Sequence, residues 1–299
     1  TSEMNNETLF KNASGTIKLE TWDMSHNTIP KNMFENASLI IDVDTWNMPN
    51  VTDLTSMFPK ATELTLNVGT WNIPNVTNMS NMFSSVEKLT LNVTTWNMPE
   101  VTNMTKMFFN VNNLSIDIGT WTMPEVTNMN GMFMWNNYQR QLKFEIKGLA
   151  NLNISKVTDM SSMFRGIVGN EDLKCITKWN TEKVEEMKWM FKDTVNFNQP
   201  LKNWNMKNVI NTQGMFHGAK QFDQLLDWNT EKVTNMSEMF LNAEAYNKRL
   251  ILDTRNVTTM SRFFMGTIKM KDCIIEKQNS NHIFMNILDN SEPLRSKTN

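Results

Sequence analysis

The chain has 299 residues, 40% hydrophobic and 20% charged, the make-up of a folded protein rather than a disordered one. Its formal charge of −2 offers no electrostatic footprint for nucleic acid or an anionic membrane. No apolar run approaches the ~18 residues that cross a bilayer, and two cysteines do not make a disulfide framework.

Residues 1–16 are expected to form an N-terminal cap; they show no basic and apolar signal-peptide pattern. One unit then recurs over 17–264. Trp22, Trp46, Trp71, Trp96, Trp121, Trp179, Trp204 and Trp228 lie twelve residues before Phe34, Phe58, Phe83, Phe108, Phe133, Phe191, Phe216 and Phe240. Leu152 and Leu252 take the tryptophan place before Phe164 and Phe264, which makes ten copies. Successive heads are 24 or 25 residues apart, except for steps of 31 (Trp121 to Leu152) and 27 (Leu152 to Trp179). Insertions fall between blocks, so the block is the packed part.

Within a unit, alternating apolar residues such as Leu39, Ile41 and Val43, or Leu64, Leu66 and Val68, predict a strand with one buried face. A bend follows at Trp-Asn-Met-Pro. Met79, Met82 and Phe83 then stand at i, i+3 and i+4, which predicts a short helix, with Thr77 and its counterparts Thr52, Thr102, Thr127 and Thr158 as N-caps. The expected fold is an α/β repeat: a leucine-rich-repeat-like solenoid of about ten strand-plus-short-helix coils with one parallel sheet. A unit this small cannot bury its own apolar face, so neighbouring coils must stack. Residues 134–148 interrupt the repeat, and 265–299 are expected to be a C-terminal cap and tail. Cys175 and Cys273 lie about four coils, or roughly 19 Å, apart at the ~4.8 Å strand spacing, too far for a bridge; thiols in core or cap positions are expected.

Twenty-one of the 26 methionines sit two, eight or eleven places after the tryptophan. A soft-metal conduit would use such thioethers. Methionine also fills a repetitive core, and the absence of accompanying histidine or cysteine favours that reading. The tryptophans suit a stacking platform if exposed; leucine in two units favours core packing. Asparagine after tryptophan (Asn47, Asn72, Asn97, Asn180, Asn205, Asn229) suits a bend or an inter-coil ladder. Asn-X-Ser/Thr triplets at Asn50, Asn75, Asn92, Asn103 and Asn256 are read as by-products of the repeat.

Nothing points to catalysis, cofactor or metal: His26, His217 and His282 are scattered, and no phosphate loop or nucleophile motif occurs. Two candidate partner-binding features remain. Asp42, Asn67, Asn92 and Asp117 occupy one strand position, a polar row beside Thr65, Thr90 and Ser115. The interruption carries Trp135, Tyr138, Arg140 and Phe144, residue types that dominate binding hot spots. The block Trp-Asn-x-x-x-Val-Thr-Asn-Met-Ser-x-Met-Phe, with Phe197-Asn198-Gln199-Pro200-Leu201 and Phe222-Asp223-Gln224, resembles the DUF285 repeat of bacterial surface proteins and lipoproteins. In the first half Leu-Thr-Leu-Asn-Val stands where that family has Phe-Asn-Gln. The resemblance implies display outside the cell or on its surface, adhesion to a protein or glycan on a host or neighbouring surface, and no catalytic residues. Self-assembly into a viral particle or surface layer is the alternative; nucleic-acid binding and direct membrane insertion are not expected.

Overall fold

The computed structural model describes residues 9–18, 31–42, 47–67, 71–92, 96–112, 114–136, 145–168, 172–269 and 273–276. They fall into two compact units, Thr1–Lys156 and Val157–Asn299. In the first, β1 (Ser14–Lys18), β2 (Ser38–Asp42), β3 (Glu63–Asn67) and β4 (Leu89–Asn92) form a parallel sheet in that order. A separate parallel pair joins β5 (Ser115–Asp117) to β6 (Glu145–Lys147). In the second unit, β7 (Leu250–Asp253) pairs in parallel with β8 (Cys273–Glu276).

The expected single sheet is therefore three sheets among the described residues. Where Leu-Thr-Leu-Asn gives way to Phe197-Asn198-Gln199-Pro200-Leu201, no strand forms. Phe197 and Leu201 are still buried, and so are Phe222 and Leu226 one repeat later. Pro200 has no N–H to give a ladder.

Among the described residues the predicted short helices are absent. The described residues hold only two 3₁₀ segments, Leu149–Asn151 and Asp172–Lys178, and neither lies in a Met-Phe block. Those blocks are runs of four-residue turns: Met82 N–H donates to Met79 O and Ser84 N–H to Asn81 O. Alternate amides point sideways. Those of Met79, Asn81, Phe83 and Ser85 donate to the carbonyls of Asn103, Thr105, Met107 and Phe109 in the next repeat. In nine of the ten repeats (the Trp121 repeat has Gly131 alone) two left-handed residues turn the chain, ten and fourteen places after the tryptophan position: Asn81 (φ 54°) and Ser85 (φ 62°), then Lys106 (φ 55°) and Asn110 (φ 53°). A helix tolerates neither. The threonines are not N-caps: Thr77, Thr102 and Thr127 hydroxyls donate to the carbonyls of Thr52, Thr77 and Thr102, one repeat back.

The core follows from this stacking. Met79, Met82, Phe83 and Val86 are fully buried, as are the matching residues of neighbouring repeats. Phenylalanines stack from repeat to repeat: Phe34, Phe58, Phe83, Phe108 and Phe133 at centroid separations of 4.8–5.7 Å, then Phe164, Phe191, Phe216 and Phe240 at 5.5–6.0 Å. Trp71, Trp96, Trp121, Trp179, Trp204 and Trp228 are buried, so these tryptophans pack the core rather than offer a platform. The post-tryptophan asparagines play both expected parts: Asn72 donates to the Asn47 amide oxygen, whereas Asn180, Asn205 and Asn229 each cap the backbone two residues on. Asn75 and Asn256 donate to the carbonyls of Pro49 and Glu231. These amides serve the stack, in keeping with triplets generated by the repeat.

Repeat geometry also reaches into both segments read as caps. Phe10 stacks on Phe34 at 5.1 Å, and Asn12 (φ 60°) matches Asn36 (φ 56°). At the other end β8 continues the register of β7.

Candidate functional site

Parallel register decides which strand residues meet. Asp42, Asn67 and Asn92 align across β2, β3 and β4, with Lys18 of β1 opposite Asp42. Thr16, Ile40, Thr65 and Thr90 form the neighbouring row; Ile40, 48% exposed, interrupts its polarity. Asp117 belongs to β5 in another sheet, opposite Lys147, and its carboxylate accepts the N–H of Gly119. Ser115 likewise faces Glu145.

Trp135 corrects an expectation. It is buried (8% exposed) and offers no projecting anchor. The repeat continues past the start of the supposed insertion: Asn110 N–H donates to Met134 O, and Asn136 N–H donates to the Asn110 side chain. At the far end, Glu145–Lys147 is already strand β6. Tyr138, Arg140 and Phe144 lie outside the described residues.

Seven places after the tryptophan runs a row the sequence reading missed. Asp53, Asn78, Asn103 and Asn128 bridge in parallel in the first unit, and Asp159, Glu186, Asn211 and Asn235 in the second. In Asp53, Asn78, Asn103, Asn128, Asp159, Asn211 and Asn235 a side-chain oxygen accepts the N–H two residues ahead. That local ring is the reason short Asp or Asn recurs here. Glu186 is too long to close it: burial raises its carboxyl pKa above the ordinary range, and one oxygen is buried without a hydrogen bond.

The indole N–H groups divide by unit. Trp204 and Trp228 donate to Ile176 O and Leu201 O at 3.0 and 2.9 Å, whereas the buried N–H groups of Trp96 and Trp121 have no hydrogen-bond acceptor. A buried orphan donor costs about 1–3 kcal/mol, and a satisfied bond is worth about 1. Trp228→Phe is therefore expected to destabilise the protein by about 2 kcal/mol more than Trp96→Phe. Equal losses in urea unfolding would refute the difference.

A cluster of titratable groups gathers on the turns of the second unit. Lys192 Nζ lies 3.2 Å from His217 Nδ1, which is 3.3 Å from a Glu238 oxygen; Arg262 pairs with Glu238 at 3.4 Å. Burial, and secondarily the Lys192 ammonium, holds the imidazole pKa below its ordinary value, against the pull of Asp193 and Glu238. Burial likewise lowers that of Lys192. The sign for stability follows. The unfolded chain takes up a proton on this histidine more readily than the folded one, so stability falls as pH drops below about 6.5. His217→Gln is expected to shrink that slope in melting experiments between pH 7 and pH 5; an unchanged slope would exclude the histidine as its source. Lys192 and His217 share one repeat position, thirteen places after the head, and Glu238 and Arg262 another, ten places after it; other repeats carry unrelated residues at both, so the repeat pattern does not single them out.

Among the described residues no group of three or more His, Cys, Asp or Glu side chains is placed to hold a metal ion. No helix there is long and apolar enough to cross a membrane. The family model described as Mycoplasma protein of unknown function, DUF285, matches the chain four times, over residues 2–115, 30–143, 134–251 and 224–289. No curated protein and no solved structure matches it.

Proposed function

We propose that this chain, which belongs to the DUF285 family, is a non-enzymatic recognition protein displayed outside the cell or on its surface, holding a protein or glycan partner along a polar strand face. In this reading the repeats wind as a solenoid of about ten coils, counted from the Trp-to-Phe blocks. The observation that carries the proposal is the alignment of Asp42, Asn67 and Asn92 beside Thr65 and Thr90. Parallel register repeats the same polar residue types every ~4.8 Å. That spacing favours an extended ligand with a repeating backbone.

The test is a glycan and peptide array probed with the full chain and with the double variant Asn67→Lys/Asn92→Lys. A confined class of ligands is expected, with binding weakened about tenfold or more in the variant at an unchanged melting temperature. Blank arrays together with concentration-dependent self-association in sedimentation would overturn the reading and favour a component of a larger assembly.

A further inference from the structure

Eight of the ten tryptophans head a repeat; Trp135 and Trp189 do not. Trp189 is the half-buried one of this pair. It occupies the first left-handed position of its repeat, at φ 58°. Neighbouring repeats of the second unit place Ser162, Gly214, Glu238 and Arg262 there. A bulky aromatic in this region is an outlier that costs about 1–2 kcal/mol, and such strain concentrates at ligand sites. The ring lies over Gly214 of the next repeat: a side-chain carbon built on that glycine would come within 2.4 Å of the indole. Glycine therefore leaves room for the ring.

The charges around it point the same way. Lys188 Nζ is 5.9 Å from the indole centroid. Lys192, three residues along the same turn, rests against His217. Among the described residues neither lysine is within ion-pair distance of a carboxylate. Asp193 and Glu238 act on Lys192, and Lys188 on Glu186, only beyond ion-pair distance, and Glu238 is already paired with Arg262. The site thus holds an aromatic ring with one ammonium group over it and a second three residues along the turn, against His217, neither in an ion pair.

We propose that Lys188, Trp189 and Lys192, seated on Gly214 and His217, bind an acidic sugar. Its C–H face stacks on the indole and its carboxylate or sulfate is held by the lysines. A single ring with two cations matches one charged sugar residue. A nucleic-acid strand calls for several stacking platforms and a basic groove that tracks successive phosphates, which a chain of net charge −2 does not favour. The residues of this site belong to the second unit and Asn67 and Asn92 to the first, so the two sets of variants are independent and failure of either idea is told apart from failure of the other.

The experiment is calorimetric titration of the full chain, at low salt, with a sulfated glycosaminoglycan tetrasaccharide, a glucuronate-containing tetrasaccharide, a neutral tetrasaccharide and a single-stranded oligonucleotide. At least one acidic sugar is expected to bind, to weaken as salt rises, and to be favoured over the neutral one. Trp189→Gly keeps the left-handed backbone accessible and is expected to weaken binding about tenfold or more. The Lys188→Gln/Lys192→Gln double variant carries the same expectation and keeps the test decisive if the tryptophan variant fails to fold. The proposal is overturned if no acidic sugar binds, if folded variants bind as well as the parent, or if the oligonucleotide binds while the sugars do not.

Discussion

Phe216→Ala is expected to cost about 5 kcal/mol, the upper end of the range for emptying a buried phenylalanine site. The ring is fully buried and touches aromatic rings in three repeats. It stacks on Phe191 at 5.8 Å and Phe240 at 5.5 Å, faces Phe222 at 4.0 Å and lies 6.2 Å from Trp228. Its loss opens a cavity and removes contacts on both sides, and in a repeat protein stability is carried by such nearest-neighbour interfaces. Urea unfolding measures the loss, and amide exchange should localise the weakening to the two flanking repeats. A change below about 2 kcal/mol would mean that the ladder is not the main source of stability in this unit.

Gly148→Ala should be comparably severe for a different reason. Gly148 has φ 81°, and a side-chain carbon there would stand 2.1 Å from the backbone nitrogen of Gly119 and 2.2 Å from its Cα. The obstruction is main chain, so no rotamer change relieves it; repeats must separate where β5 and β6 pair. A left-handed penalty of about 1 kcal/mol adds to overpacking of about 1–3, for an expected loss of about 2–4 kcal/mol. Gly218→Ala is the control. It is also left-handed, at φ 70°, but its nearest obstacle is the Asp193 side chain at 2.5 Å, which can swing away. A cost equal to that of Gly148→Ala would show that backbone conformation alone, not the close approach, sets the penalty.

What could be read from the sequence follows from what the sequence repeats. The spacing of Trp71, Met82 and Phe83 is invariant across copies, so the buried ladders were legible without coordinates. So was the alignment of Asp42 with Asn67 and Asn92, because the step between those strands is constant. The helix was misread because consecutive four-residue turns bury i, i+3 and i+4 just as a helix does. The discriminating residues were present: Ser56, Asn81, Gly131 and Gly214 at one position, and Asn36, Asn110, Gly166 and Gly218 at another, all left-handed and mostly of turn-forming type. Asp117 was expected in the polar row from its place in the repeat, but pairing is a property of the sheet, and its strand joins β6. Trp135 was expected to project because irregular spacing looks like a loop, yet the backbone around it keeps its bonds to the preceding repeat.

Many side-chain bonds of the first unit link residues that differ by 25 in number: Thr77 to Thr52, Lys60 to Glu35, Asn72 to Asn47. Excising or duplicating a block of that length inside the regular region would hand every ladder an equivalent neighbour. Other lengths are taken up between blocks: β1 and β2 keep register at a step of 24, and heads elsewhere are 27 and 31 residues apart. The gene can therefore lengthen or shorten this protein in whole modules by unequal recombination, with odd residues absorbed in the connecting segments.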